Sequence, residues 1–195
     1  MILTYHQKSI EILGITPQIS QLNLELVSAF EAKYELAIPL ALREWYSLEN
    51  NSEILQEITG SHNIIEITIT PKVQEDYSQL FSASEPFPVL IENQAVWFMA
   101  VKLNEGENPP VYMRYNEADE LWTLHANSFS DWIQALCWDY IVITKSQGKI
   151  VSAKHENQLL GFHADAPETY EAHIYFKGKK FTRMKKGAEY LFVIY

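Results

Sequence analysis

The chain has 195 residues, of which 47% are hydrophobic and 13% aromatic, which is enough for one sizeable folded domain and argues against long disordered stretches. No apolar run is long enough to predict a transmembrane helix, and the N-terminus lacks the basic and apolar regions of a secretory signal. The single cysteine, Cys137, excludes an intramolecular disulfide and a multi-cysteine metal site, so we expect a cytoplasmic protein.

The net charge of −10 is unevenly distributed. The last nineteen residues hold six basic residues and one acidic residue, whereas residues 1–176 hold nine basic and twenty-four acidic residues, a net charge of −15. An acidic body of this kind repels nucleic acid and attracts a basic protein by long-range steering. Ordinary solubility is the simpler explanation of the same charge.

A first helix is predicted after a lead-in of residues 1–20. Ser20 is a helix-capping residue, since its side-chain oxygen can accept from a free backbone amide. Apolar residues then recur at spacings of four, with Val27 beside them, as on one stripe of an amphipathic helix: Leu22, Leu26, Phe30 and Tyr34.

A second helix follows the step Ile38-Pro39, because proline disfavours a helical residue before it and fits a first helical turn. One face of this helix carries Leu42, Trp45 and Tyr46. The turn-forming residues Glu49 to Ser52 end it.

The middle of the chain predicts a sheet. Ile64 to Thr70 is rich in β-branched residues and predicts a strand, and Lys72 to Phe81 predicts a loop or a short helix. Short apolar runs with turn-rich separators then predict an antiparallel meander of four strands: 89–92, 95–103, 111–115 and 121–125.

The clearest helix of the chain is predicted after Ser128, with Asp131 at its third position as in a capping box. Seven apolar residues form its stripe, which suits packing on one face of a sheet: Phe129, Trp132, Ile133, Leu136, Cys137, Tyr140 and Ile141.

The remaining residues predict a strand-rich extension. Tyr170 to Phe176 and Ala188 to Tyr195 are strand-like, and a turn at Lys177 to Lys180 leads to a return strand at Phe181 to Met184. The whole pattern predicts an α+β fold, with a mostly antiparallel central sheet flanked by helices. We divide it into a domain of residues 1–145 and a C-terminal extension of residues 146–195.

No catalytic motif is recognisable in the sequence. Cys137 lies on the apolar helical stripe and is interpreted as a core residue. The only loose group of possible metal ligands is His155, His163, Asp165 and Glu168, for which a solvated loop is the simpler interpretation. The carboxylates of a predicted turn, Glu117, Asp119 and Glu120, are likewise interpreted as solvated charges rather than an acid–base pair.

The basic run from Lys177 to Lys186 has three interpretations. Interleaved aromatic and basic residues suit single-stranded nucleic acid, but the acidic body opposes the approach of phosphates. Lysines also keep an edge strand from pairing with neighbours. The run could instead pair with the acidic body of its own chain or of a second copy.

Trp138 falls beside the apolar stripe of its helix, which would allow partial exposure, and an exposed tryptophan suits an interface. Core packing is the favoured interpretation, because aromatic residues bury large areas in cores.

Residues 31–51, EAKYELAIPLALREWYSLENN, resemble the opening signature of the SUKH superfamily, of the Smi/Knr type. Ile38-Pro39 corresponds to its proline step, Trp45-Tyr46 to its aromatic residues and Asn50-Asn51 to its turn, where Asn51 replaces the usual glycine. Val111-Tyr112 resembles its valine-tyrosine strand, and residues 124–141 resemble its closing helix. The resemblance covers roughly residues 22–141 and leaves the extension outside it.

The resemblance implies an α+β domain without enzymatic activity and without a cofactor. Bacterial members resemble immunity proteins that neutralise toxins, often nucleases, and fungal members resemble regulatory scaffolds. The leading hypothesis is therefore an immunity-type protein that blocks a basic toxin, with contact residues at turns or off the apolar stripes: Glu49, Asn50, Glu117, Asp119, Glu120 and Trp138. A scaffold that binds through the basic hairpin and a metal-dependent enzyme remain alternatives.

Overall fold

A computed structural model of the chain describes residues 2–60, 63–81, 86–116, 121–144, 159–170 and 179–194. These ranges contain six helices and eight strands, which confirms the α+β class. The helices are α1 (Gln7–Leu13), α2 (Gln21–Tyr34), α3 (Leu40–Tyr46), α4 (Asn51–Thr59), α5 (Thr70–Asp76) and α6 (Phe129–Thr144). The strands are β1 (Asn63–Ile64), β2 (Phe87–Ile91), β3 (Trp97–Val101), β4 (Val111–Tyr115), β5 (Thr123–Ala126), β6 (His163–Tyr170), β7 (Lys180–Lys186) and β8 (Glu189–Ile194).

The eight described strands form one antiparallel sheet in the order β1 to β8, so each strand pairs with the next along the chain. The predicted meander from β2 to β5 is confirmed by the register of these pairs. The described part of β6 joins the central sheet at β5, where Ala126 pairs with Thr169. Strands β6 to β8 thus continue the central sheet, and the division at residue 145 remains a prediction.

The sheet is covered on both faces around β2 and β3. Helices α1, α2, α3, α4 and α6 contribute to the larger core, which contains Trp45, Phe129 and Trp132. A smaller core on the opposite face packs Val73 of α5 against Phe98 of β3. Because both faces are covered, every residue of β2 is buried, which explains its continuous apolar sequence.

Side-chain caps place the starts of two helices where the sequence predicts them. The Ser20 hydroxyl accepts from the Asn23 amide at 3.2 Å at the start of α2. The Ser128 hydroxyl accepts from the Asp131 amide at 3.1 Å at the start of α6. Such caps satisfy amides that have no partner within the helix.

The region between α3 and β2 differs from the prediction. Helix α4 begins within the predicted turn, and the strand expected at Ile64 to Thr70 is limited to β1. The Ile65 amide still bonds Val89 of β2, but the Ile69 amide turns back to the Glu66 carbonyl. Helix α5 then starts at Thr70, because Pro71 suits its first turn. The alternative of a short helix within Lys72 to Phe81 is therefore correct.

Two predicted strands of the extension are confirmed, since Phe181 to Met184 lies in β7 and residues 188–195 contain β8. The strand predicted at Tyr170 to Phe176 lies outside the described residues except for Tyr170 itself, which ends β6. Strand β6 was not expected, because its sequence HADAPETY is polar and contains a proline.

Candidate partner-binding surface

The turn between α3 and α4 presents Glu49 and Asn50, both exposed, at the molecular surface. Asn50 has a left-handed backbone, with φ of 56°, and directly precedes α4. The side-chain Nδ2 of Asn51 donates to the backbone carbonyls of Tyr46 at 3.1 Å and Leu48 at 2.9 Å. The buried Asn51 side chain thus caps the C-terminal end of α3. The left-handed backbone position of the turn is Asn50 and not Asn51, the residue that stands where the family has glycine.

The segment before α2 holds this turn from the other side. The Glu49 amide donates to the Gln18 carbonyl at 2.8 Å, and the Ser20 amide donates to the Ser47 carbonyl at 3.0 Å. The Asn23 side chain donates to the Leu48 carbonyl at 2.8 Å. Backbone bonds therefore fix Glu49 beside the start of α2.

An apolar row lies next to the turn, because three of the four residues of the predicted stripe of α2, Leu22, Leu26 and Tyr34, are exposed. Val27 and Phe30 pack into the core, whereas Leu22 is 64% exposed and Leu26 is 37% exposed. Ile15 and Ile19 continue the row at 40% and 37% exposure. We define the turn face as Ile15, Ile19, Leu22, Leu26, Glu49 and Asn50.

The charged residues in the two segments that form the turn face have one sign. Glu25, Glu49 and Glu53 are exposed, and residues 15–26 and 47–56 contain no lysine, arginine or histidine. A cleft of about 220 Å³ lies within the face, with Ile15, Pro17 and Asn50 in its wall. The arrangement suits a partner that offers apolar side chains within a basic surface.

A larger cleft of about 420 Å³ lies between α4, α5 and the β2–β3 turn, and we name it the α4–α5 cleft. Its lining contains the carboxylates Glu66 and Glu92 and no basic residue. A small cleft of about 70 Å³ lies between the α4–α5 cleft and the turn face. It shares Ser52 and Glu66 with the α4–α5 cleft, and Leu26 of the turn face also lines it. Nothing in the sequence singles out Glu66 and Glu92, because they line one cleft only through the tertiary pairing of β1 with β2.

Three of the six predicted contact residues, Glu117, Asp119 and Glu120, lie outside the described residues. The alternative of partial exposure for Trp138 is wrong, since only 4% of this residue is exposed. Its Nε1 donates to the Asp165 carboxylate at 2.7 Å, and its ring packs edge-on against Phe192, with centroids 5.2 Å apart. The C-terminal strands therefore cover the second face of α6, which the periodicity of α6 alone does not reveal.

The basic residues of the extension are largely engaged by their own chain. Arg183 is 5% exposed and forms a bidentate ion pair with Asp139 of α6, in which Nε donates to Oδ1 at 2.7 Å and Nη2 donates to Oδ2 at 2.6 Å. Lys180 pairs with Glu168 at 2.9 Å, and the Lys185 ammonium lies 5.4 Å from the centre of the Tyr190 ring. For these residues the geometry favours pairing within the chain over a free basic surface.

The described residues offer little reactive chemistry. Cys137 is fully buried, and burial raises the pKa of its thiol to about 12, which opposes a nucleophilic role. No group of three or more potential metal ligands occurs among the described residues. His163, Asp165 and Glu168 lie along β6, where Asp165 and Glu168 bond Trp138 and Thr182, and His155 is outside the described ranges.

Residues 21–135 match the sequence profile of the SMI1 / KNR4 family (SUKH-1), which covers more than half of the chain. The chain belongs to the SMI1 / KNR4 family (SUKH-1). No curated protein and no solved structure gives a significant match.

The SUKH-1 match places most of the candidate surface within the family domain. It begins at the first residue of α2 and ends within α6, so it includes Glu49, Asn50 and the whole lining of the α4–α5 cleft. Strands β6 to β8 lie beyond it. Among the described residues, no helix is long and apolar enough to cross a membrane.

Proposed function

We propose that this SUKH-1 protein is a non-enzymatic immunity-type protein of the cytoplasm, which binds a basic toxin and blocks it. The turn face is the observation that carries the proposal, because it combines exposed apolar side chains with the Glu49 carboxylate and contains no basic residue. A nuclease is the class of toxin that fits best, since its active surface is basic where it holds phosphates.

The mechanism is steric and electrostatic blockade. Opposite charge accelerates the encounter, and burial of Leu22 and Leu26 against the partner excludes water and slows dissociation. Glu49 and Asn50 supply polar contacts at the centre of the face. The carboxylates of Glu117, Asp119 and Glu120 are proposed as further contacts on the connection between β4 and β5.

The first test is affinity capture from a lysate of the native source, at low and high salt, followed by assay of each captured protein. We expect a basic protein that is released by salt, that is toxic or cleaves nucleic acid, and that is inhibited by adding this chain. Capture of proteins held equally at both salts and without toxic activity would refute the immunity role.

A charge reversal then tests the turn face. Glu49→Lys should weaken toxin binding by about tenfold at low salt, mainly through the association rate. Glu35→Lys is the matched control, because Glu35 is also exposed but lies at the opposite end of α2. Equal affinities for the two variants would show that the partner docks elsewhere.

A further inference from the structure

We propose that the α4–α5 cleft receives an arginine side chain of the partner protein. The inference rests on the proposed function, in that the partner is a basic protein, and it names the chemical group that anchors it. The cleft is built from the family domain but none of its lining residues belongs to the turn face.

The floor of the cleft is apolar and suits the methylene stem of a long side chain. Ile65, Val73 and Ile91 are only 2%, 8% and 6% exposed, and they belong to the smaller core. Ile69, which is 42% exposed, forms part of the rim. Arginine and lysine stems pack along such surfaces while their charged ends remain near water.

Glu92 offers a carboxylate that is already held in place. Its Oε2 accepts from the backbone amides of Gln94 at 2.9 Å and Val96 at 3.2 Å. Its Oε1 has no partner among the described residues. Because the side chain is ordered before binding, it loses little conformational entropy when a cation arrives.

The β2–β3 turn that carries Glu92 has a strained backbone at Ala95. Ala95 adopts φ of 55°, in the left-handed region that disfavours a residue with a β-carbon. The Ala95 amide bonds the Glu92 carbonyl at 2.7 Å, and the Asn116 amide bonds the Val96 carbonyl at 2.8 Å. These bonds hold the turn closed beneath the cleft rim and fix the position of Glu92.

Glu66 offers the second carboxylate. The Glu66 carbonyl accepts from the Ile69 amide at 3.1 Å and from the Thr70 hydroxyl at 3.3 Å, which fixes its backbone. Its exposed side chain has no hydrogen bond or ion pair within the described part of the chain. The cleft therefore holds a net negative charge that its own lining does not neutralise.

A guanidinium group matches this lining better than a smaller cation. It is planar, remains charged, and can donate to two carboxylates while stacking on an aromatic ring. Tyr77 lines the cleft, and its position is fixed by edge-on packing against Phe98, with ring centroids 4.9 Å apart.

The test uses a blocked amino acid as the probe, because it requires no toxin. The full-length chain labelled with ¹⁵N is titrated with N-acetyl-arginine methylamide, and backbone amide shifts are followed by NMR. We expect saturable shifts at Glu66, Tyr77 and Asn93 with a dissociation constant of about a millimolar. The neutral citrulline analogue should produce none.

Variants localise the probe. Glu66→Gln should weaken binding roughly fivefold, and Glu66→Gln combined with Glu92→Gln should abolish it, whereas Glu35→Gln should leave it unchanged. The spectrum of each variant reports directly whether the fold is intact. Equal shifts with citrulline, or unchanged affinity in the double variant, would overturn the proposal.

The outcomes also separate this inference from the proposed function. If the probe binds the cleft but no captured partner is a toxin, the cleft stands and the immunity role fails. If the chain neutralises its toxin equally well with both glutamates replaced, the immunity role stands and the cleft is not its anchor.

Discussion

His6 is a fully buried, uncharged histidine at the junction of α1, α3 and α6. Its Nε2 lies 2.9 Å from the Ala41 carbonyl, and its ring packs edge-on against Trp45 and Phe129. Burial lowers the pKa of His6 to about 4, although the carbonyl of Ala41 and the charge of Glu44 oppose this effect. A proton is thus bound more readily in the unfolded chain than in the folded one.

This difference predicts that stability falls as the pH drops. The unfolded histidine has a pKa near 6.5, so protonation begins to favour unfolding below about pH 6.5 and does so until about pH 4. The free energy of unfolding should fall by about 3 kcal/mol over this window through His6 alone. Urea unfolding from pH 7 to pH 4 measures it.

His6→Gln is the matched control, because glutamine keeps a donor for Ala41 but does not titrate. Carboxylates titrate in both proteins, so their contribution cancels in the comparison. If the two proteins lost the same stability between pH 7 and pH 4, His6 would not be the group responsible.

Asn50 shows how a single backbone angle sets the candidate surface. Its φ of 56° suits glycine or asparagine, and its side chain makes no capping bond to α4. Asn50→Ala should therefore destabilise the protein by about 1 kcal/mol, whereas Asn50→Gly should change stability by less than about 0.5 kcal/mol. Urea midpoints of the three proteins measure this, and an alanine variant as stable as wild type would contradict the strain argument.

At the scale of elements, sequence patterns locate the helices and strands that bury one face against the core and expose the other. Helix α6 presents an apolar stripe to a sheet, and Val111 to Tyr115 is a half-buried strand with turns on either side, so both are predicted at or near their true bounds. Periodicity is strong in such elements because one face meets the core.

Elements whose burial depends on distant chain segments are predicted poorly. The run from Ile64 to Thr70 has β-branched residues typical of a strand, yet only its first residues reach β2 before the chain turns into α5. Glu66 and Glu92 line one cleft because of that pairing, which explains why neither residue stands out in the sequence. The exposed positions of Glu49 and Asn50 were predictable, because turn-forming residues at the end of a helix are usually exposed.

One buried ion pair, between Arg183 and Asp139, joins β7 to α6. Besides Asp139, Arg183 donates to the Pro167 carbonyl at 3.2 Å and to the Thr169 hydroxyl at 3.1 Å, so one side chain joins β6, β7 and α6. Burial raises the pKa of Asp139, and Arg183 opposes that rise. Loss of the guanidinium would leave a carboxylate in a setting that disfavours its charge.

Arg183→Lys should therefore destabilise the protein by about 2 kcal/mol, because an ammonium cannot reproduce the planar set of donors. Amide hydrogen exchange should increase first in β6 to β8. Lys102→Met is the control, since its ion pair with Glu105 joins side chains that are 37% and 32% exposed; it should cost less than about 1 kcal/mol. Unchanged exchange in the C-terminal strands of Arg183→Lys would show that other contacts hold them.

At the scale of the whole molecule, the two apolar cores are built without the described C-terminal strands. Among the described residues, no buried member of these cores lies beyond Cys137. Leu191 and Val193 are buried but belong to neither core. The described strands of the extension are attached to β5 at Ala126 and to α6 through Trp138 and Asp139.

This arrangement predicts that a chain ending at residue 145 folds but associates with itself. It should unfold cooperatively in urea, because its cores are intact, at a stability lower by a few kcal/mol. Removal of β6 to β8 exposes Trp138 and the edge of β5, and an uncovered edge beside an apolar patch favours pairing between copies. Asp139 loses Arg183 but regains water, so it adds little to the cost.

Size-exclusion chromatography with light scattering, together with urea unfolding, measures both effects. Trp138→Gln in the shortened chain should reduce the self-association, because it removes the largest exposed apolar side chain, and should leave cooperative unfolding intact. A shortened chain that unfolds without cooperativity would show instead that residues 146–195 belong to one folding unit with the SUKH-1 domain. The proposed contact surface would then depend on the extension for its stability, even though β6 to β8 contribute no residue to the turn face or to the α4–α5 cleft.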